Sequence, residues 1–184
     1  MKITSGKYKY RNIEIPKGIR PTTEKVREAV FSMINAWIPD AEVLDLFAGS
    51  GAMGLEALSR GAARCAFVES NRQNQRVLLA NIDNCGAGDV SRLIGRDFIA
   101  ALSELAGAAT KSRFDVVIID PPYEKAEYYD TALRLLQEYE LIDDASIVVC
   151  EHLYDNKLLD TYGNLQKVKE KKYGTIGVDV FTVL

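Results

Sequence analysis

From residue 43 onward the chain alternates two hydrophobic rhythms. Short apolar runs of strand length fall at 43–47, 64–68, 90–94, 115–119 and 146–150. Between them lie segments with helical spacing: 52–59, ending near Gly61; 71–84, closed by Gly86; 98–105; and 127–138. Strands separated by helices need crossovers, and crossovers within one sheet are right-handed. The pattern predicts a mostly parallel sheet covered by helices on both faces. A further helix precedes it. Pro21 stands before a Thr cap, Glu24 falls in the first turn, and Val26, Ala29, Val30, Met33 and Ile34 make one apolar stripe before Pro39 ends the segment. The C-terminus differs: 165–173 and 176–184 are strand-like, and only Gly174-Thr175 joins them. No helix fits there, so the two should pair as an antiparallel hairpin at the sheet edge. The predicted fold is α/β and Rossmann-like, a seven-stranded mostly parallel sheet with a C-terminal antiparallel hairpin. Residues 1–20 read as a small β appendage on a domain spanning 21–184. In it Ile3, Ile13 and Ile15 alternate with polar residues, Gly6 and Asn12 offer turns, and Pro16 ends the run.

Composition narrows the class. At 184 residues, with 47% apolar and 27% charged side chains, the chain can bury a full core. No apolar run reaches membrane-spanning length, and the first residues lack the apolar block of a secretory signal. Cys65, Cys85 and Cys150 are odd in number and widely spaced, which fits free thiols in a reducing cytoplasm better than disulfides or a zinc site. His152 is the single histidine, which leaves little support for histidine-centred catalysis. The charge is uneven. Residues 1–30 carry eight basic against three acidic side chains, a net +5, and the remainder a net −8. Lys167, Lys169, Lys171 and Lys172 form a second basic cluster. A basic end on an acidic body is the distribution of an enzyme that handles a polyanion, or of a solvated arm.

Residues 114–123, Phe-Asp-Val-Val-Ile-Ile-Asp-Pro-Pro-Tyr, carry the sharpest chemical signal. A β-branched run ends at Asp120, and two prolines that lack N–H groups stop the ladder there. The result is a stiff loop at the carboxyl end of a parallel strand, where open α/β sheets place their ligands. It offers a carboxylate, backbone carbonyls and a flat aromatic ring. Those groups suit a planar molecule with an amino substituent, although Asp-Pro-Pro also serves as a plain strand-ending turn.

The second signal is Asp45-Leu-Phe-Ala-Gly49-Ser50-Gly51-Ala-Met-Gly54, where the first strand meets its helix. Gly49-x-Gly51-x-x-Gly54 matches the dinucleotide fingerprint in form, and Glu69 after the second strand is placed for a ribose diol. Asp45 opposes that reading, because its charge would lie next to a pyrophosphate. A cofactor with a cationic end and no phosphate would welcome it. S-adenosylmethionine has that shape: an amino-acid head, a sulfonium, a ribose and an adenine. Asp97 is then an acceptor for the adenine amine beside Phe98, or the N-cap of the following helix, or both.

Asp45–Gly51, Glu69, Asp97 and Asp120-Pro-Pro-Tyr123 together resemble the class I S-adenosylmethionine-dependent methyltransferases of exocyclic amines. Arg20-Pro-Thr-Thr-Glu-Lys-Val-Arg-Glu-Ala-Val-Phe31 and the stretch from Leu44 to Gly61 are similar to the ribosomal RNA small subunit methyltransferase D family. The resemblance covers nearly the whole chain. It departs at Tyr10-Arg11, where the family often shows Gly-Arg, and is loose over 152–172. It implies methylation of guanine N2 in 16S ribosomal RNA, free or within a 30S particle, with no metal. It implies a cofactor site of Asp45, Phe47, Ala48, Gly49, Ser50, Gly51, Glu69, Ser70, Asp97 and Phe98. It also implies an amine clamp of Asp120, Pro121 and Pro122 with Tyr123 stacked on the base, and Arg20 and Thr22 bordering the site. Lys7, Lys9, Arg11, Arg20 and Arg27 are the expected phosphate contacts, and Thr22 is counted with them as an RNA contact. A target guanine must be looped or flipped to reach such a pocket. The rivals are a DNA or other RNA amino-methyltransferase acting on adenine N6 or cytosine N4, a nicotinamide-dependent oxidoreductase, and a non-catalytic RNA-binding module.

Overall fold

A computed structural model describes residues 1–110 and 112–184 of the chain. Five strands run parallel: β1 (Glu42–Asp45), β2 (Arg64–Val68), β3 (Ser91–Ile94), β4 (Val116–Ile119) and β5 (Ile147–Leu153). Helices α1 (Glu24–Met33), α2 (Ala52–Ser59), α3 (Arg72–Asn84), α4 (Phe98–Ala106) and α5 (Glu127–Glu138) precede or link them. The chain closes with β6 (Thr161–Tyr162), β7 (Leu165–Tyr173) and β8 (Ile176–Val183), all antiparallel to their neighbours. The sheet order is β3-β2-β1-β4-β5-β8-β7-β6. Among the described residues, no helix is long and apolar enough to cross a membrane.

The architecture is the predicted one, with eight strands among the described residues where the sequence indicates seven. The additional strand, β6, has two residues and no apolar run of its own. It exists because Thr161 and Tyr162 pair with Gln166 and Leu165, because Gln137 Nε2 donates to the Tyr162 carbonyl at 2.9 Å, and because the Tyr162 ring meets Phe181 edge-on at 5.7 Å. Those are tertiary contacts, invisible to local patterning.

β4 shows why the central strands read as unbroken apolar runs. Val116 and Ile118 face the layer packed by α1, α2 and α3, with Val30, Phe31, Leu55, Leu58 and Leu78. Val117 and Ile119 face the other layer, with Leu102 and Leu105 of α4 and Leu133 and Leu136 of α5. A strand buried on both sides has no polar face to alternate with. β1 lies between β2 and β4, so the connections turn one way on its β2 side and the other way on its β4 side. That is the topological switch point of the sheet, and the carboxyl ends of β1 and β4 open a crevice there.

The N-terminal segment forms a tight antiparallel turn. Lys2 bridges to Asn12, Ile3 N–H donates to Arg11 O at 3.0 Å, and Ile13 N–H to Met1 O at 2.7 Å. Ile3, Tyr8 and Ile13 are buried with the α1–α2 layer. Glu56 of α2, fully buried, clamps the segment: its carboxylate accepts from the Thr4 and Ser5 amides and from Arg60 Nε. It also pairs with Arg27 Nε at 3.0 Å, and both side chains are fully inaccessible. Arg27 also donates to the Lys2 carbonyl. This corrects the expectation that Arg27 grips RNA phosphate. It lies inside α1's buried face because Glu56 neutralises it, and it ties the appendage to two helices.

Candidate active site

The crevice at the switch point is a cavity of about 660 Å³. Its floor is acidic. Asp45 ends β1 and is 2% exposed, and its Oδ2 accepts from Gly54 N–H at 3.0 Å. Burial pushes its carboxyl up to about 7, against the pull of that N–H, and the nearby Glu69 charge adds to the rise. Above Asp45 runs the glycine loop. Gly49 and Gly51 take left-handed φ of 54° and 81°, which lets the chain double back so that Gly51 N–H bonds Ala48 O at 2.7 Å and starts α2. A Cβ on Gly51 would also stand 2.2 Å from Leu78 Cδ1. Glu69 braces the loop, its two oxygens accepting from the Gly49 amide at 2.9 Å and the Asn71 amide at 2.8 Å.

The far end of the cavity is aromatic. Phe47, Phe98 and Tyr128 form a cluster with ring centroids 4.7 to 5.9 Å apart. Asp97 caps α4 through Oδ1, which accepts from Ala100 N–H at 3.0 Å, and the residue also lines the cavity. The cap role is thus realised at the edge of the cavity.

The opposite wall is the loop after β4. Asp120, Pro121, Pro122 and Tyr123 all line the cavity. The Pro122 carbonyl accepts from Lys125 N–H at 2.9 Å, which fixes the loop. Burial holds the Asp120 carboxyl well above the usual carboxylate range, and the charges of Glu151 and Asp45 push the same way against the Thr22 hydroxyl. Tyr123 is half-buried, with its phenol pushed up to about 12 by burial and the neighbouring carboxylates. The Arg20 guanidinium lies over its ring, 5.6 Å from the centroid. Residues 18–22 complete the wall, and Ile19 Cδ1 would touch a Cβ placed on Gly49 at 3.2 Å.

A group with a cationic amino-acid head, a diol and a flat amine-bearing ring fits these residues. Asp45 is a buried carboxyl with a single N–H partner, the glycine loop presents close backbone, Glu69 and Asp97 offer acceptors, and three rings border the far end. Among the described residues, no cluster of three or more His, Cys, Asp and Glu side chains is placed to share a metal ion.

A family described as Conserved hypothetical protein 95 matches residues 1–182. The ribosomal RNA small subunit methyltransferase D of Escherichia coli K12 is 33% identical over 183 residues, covering 98% of this chain and 89% of that one. The chain belongs to the ribosomal RNA small subunit methyltransferase D family. Its namesake from Haemophilus influenzae is 29% identical over 184 residues, covering 98% and 93% of the two chains. The solved structure of a Thermus thermophilus protein superposes with a TM-score of 0.85 at 27% identity, covering 100% of this chain and 99% of that one.

Most of the family-type site residues indicated by the sequence meet in this one cavity. Gly51 does not: it stands behind the loop, buried against Leu78. Lys7, Lys9 and Arg11 are exposed on the appendage outside it, with Arg11 Nη1 donating to Asn84 O at 2.9 Å. Thr22 requires correction as an RNA contact. It is buried, and its hydroxyl faces Glu151 at 2.7 Å and Asp120 at 3.4 Å, a setting that repels phosphate. Sequence reasoning missed Ile19, Asn74, Tyr128 and Glu151. The Tyr128-Tyr129 pair, placed shortly after Tyr123, was a usable aromatic signal. Glu151 had none, since its meaning depends on the pairing of β4 with β5.

Proposed function

We propose that the protein is an S-adenosylmethionine-dependent ribosomal RNA methyltransferase, and that its acceptor is the exocyclic N2 of a guanine in small-subunit ribosomal RNA. The observation that carries the reading is the convergence of Asp120-Pro-Pro-Tyr123 and the Asp45 glycine loop on one cavity of a chain from this family. The names of the relatives support ribosomal RNA as the substrate. When bound, S-adenosylmethionine supplies a methyl group on cationic sulfur that an amine can attack.

The chain's own residues prepare that amine. The lone pair of a guanine amino group is delocalised into its ring, which makes it a poor nucleophile. The Asp120 carboxylate and the Pro121 carbonyl each accept one of its N–H bonds and favour a pyramidal nitrogen with its lone pair free. Tyr123 stacks on the base, with Arg20 over the outer face of the ring, and sets the attack line. Alignment and fixed dipoles supply most of the acceleration, with no covalent enzyme intermediate. Asp45 holds the amino-acid head of the cofactor, Glu69 its ribose hydroxyls, and Asp97 its adenine amine. The exposed Lys7, Lys9, Arg11 and Arg20 contact phosphate.

The test is transfer of labelled methyl to ribosomal RNA and to 30S particles that lack the modification, followed by nucleoside analysis. Label on guanine N2 is expected, and label on an adenine or cytosine amine would overturn the acceptor. Asp120→Ala should lower transfer by at least about a hundredfold, as loss of a group aimed at the reacting centre does. S-adenosylmethionine binding by calorimetry should stay within a few-fold. Unchanged turnover in that variant would remove Asp120 from the mechanism.

A further inference from the structure

Behind the amine clamp a second carboxylate waits on the same hydroxyl. β4 and β5 pair in parallel with Ile119 opposite Cys150, so the next residues, Asp120 and Glu151, emerge side by side. Glu151 is 5% exposed and does not line the cavity. Tyr129 of α5 donates to its backbone carbonyl and fixes that point of β5. Thr22 Oγ1 stands 2.7 Å from Glu151 Oε2 and 3.4 Å from Asp120 Oδ2. A hydroxyl gives one proton and accepts others. The shorter contact takes the Thr22 proton, so the longer one is a hydrogen bond only when Asp120 is itself protonated and donates to Oγ1. The geometry is a directed chain from Asp120 through Thr22 to Glu151.

We propose that Glu151 is a positioning residue for methyl transfer, receiving across Thr22 the proton that the amine gives to Asp120. This rests on the reading of the site as an amine methyltransferase. As the nitrogen lone pair bonds the methyl carbon, the carbon–sulfur bond breaks with its electron pair left on sulfur, and the nitrogen then carries four bonds and a positive charge. One N–H bond then breaks, its electron pair stays on nitrogen, and the proton goes to Asp120 Oδ2. Asp120 passes a proton to Thr22 Oγ1 while Thr22 passes its own to Glu151 Oε2. The methylated amine ends neutral, Asp120 ionised and Glu151 protonated. The proton returns through Asp120 to water as the product leaves the open cavity.

The surrounding charges suit a shared proton. Burial raises both carboxyls, and the Glu151 charge raises Asp120 further. Asp45 of β1 adds to that rise, while Arg20 and the neighbouring His152 favour ionised Glu151. Tyr123 and Tyr129 stay neutral nearby, their phenols raised by burial.

Two measurements test the assignment. The first follows the Asp120 side-chain carboxyl by carbon-13 NMR across pH in the cofactor-free protein. Glu151→Gln should move its midpoint to lower pH, and Thr22→Ser should leave it near wild type. The second is the single-turnover rate on ribosomal RNA. Glu151→Gln and Thr22→Val should each lower it by about tenfold or more, toward the range of positioned proton-transfer groups. Thr22→Ser should keep most of it, and S-adenosylmethionine affinity should hold within about twofold in all three. An Asp120 midpoint unmoved by Glu151→Gln, or wild-type transfer by that variant, would overturn the proposal. If the wild type itself transfers nothing to ribosomal RNA, the functional reading fails, and the titration alone decides whether Asp120 and Glu151 share a proton.

Discussion

Asp45 sits where a carboxyl is half protonated at neutral pH, raised to about 7 by burial and held by the Gly54 amide. Its folded value lies above its unfolded one, so the native state binds the extra proton. Its contribution to stability is therefore full at acid pH and fades as pH rises from the ordinary carboxylate range toward 7. A cationic ligand head reverses the preference and draws the proton off. S-adenosylmethionine affinity should thus rise between about pH 5.5 and 7, with proton release on binding. Calorimetry in buffers of different ionisation enthalpy would read both effects. Asp45→Asn should weaken binding about tenfold or more and abolish the proton release, in line with a lost charge-assisted hydrogen bond. A flat pH profile in the wild type would contradict the placement of the cationic head. Asp45 was legible because a carboxylate ahead of a glycine turn is an oddity that chemistry must explain. Arg27 was not, because its partner Glu56 lies 29 positions away and nothing local marks either as buried. Thr22 was legible as bordering the site but misread in role, since the two carboxylates it meets lie 98 and 129 positions further along the chain.

At the scale of elements, the central strands and α2 to α5 fell where the periodicity placed them, within a residue or three at their ends, while α1 stops at Met33, well short of Pro39, and a short 3-10 turn, Asn35–Trp37, follows it. Double-sided burial made the strands read as apolar runs, and Asn71 and Asp97 mark helix starts as true caps. What stayed hidden depended on docking: the two-residue β6, and the manner in which residues 1–20 seat on α2. Gly6 shows how tight that seat is. Its φ is 82°, and a Cβ there would stand 1.8 Å from the Ser59 carbonyl oxygen, which also accepts from Lys7 N–H at 2.9 Å. Gly6→Ala should therefore displace the turn and cost about 1–3 kcal/mol, the range for a strained backbone position. Thermal unfolding would show a lowered midpoint, and hydrogen exchange would show lost protection at Ile3, Lys7 and Ile13. A midpoint unchanged from wild type would mean the segment is not a fixed part of the fold.

Across the whole molecule, charge is segregated: net +5 in residues 1–30 against −8 in the remainder. With Arg27 buried in its ion pair, the exposed part of that positive charge is Lys2, Lys7, Lys9, Arg11, Lys17, Arg20 and Lys25. Neutralising Lys7, Lys9 and Arg11 together should reduce the slope of log affinity for ribosomal RNA against log salt by roughly 2, since each phosphate contact adds about 0.7–0.9. Filter binding across a salt series would measure it, and an unaltered slope would take the appendage out of the interface.

The wall formed by residues 18–22 has a consequence for how such an enzyme can change over time. One uninterrupted stretch of backbone leaves the docked turn, passes Ile19 across the glycine loop, and delivers Thr22 to the carboxylates of β4 and β5. Asn81 of α3 stitches the same stretch to that loop, donating to Glu14 O at 2.9 Å and Ser50 O at 2.8 Å. The part proposed to face RNA is thus not a cassette that recombination could exchange. A lineage that needed a different target would have to remodel this stretch in place, one tolerated substitution at a time, while keeping the wall of its own pocket intact.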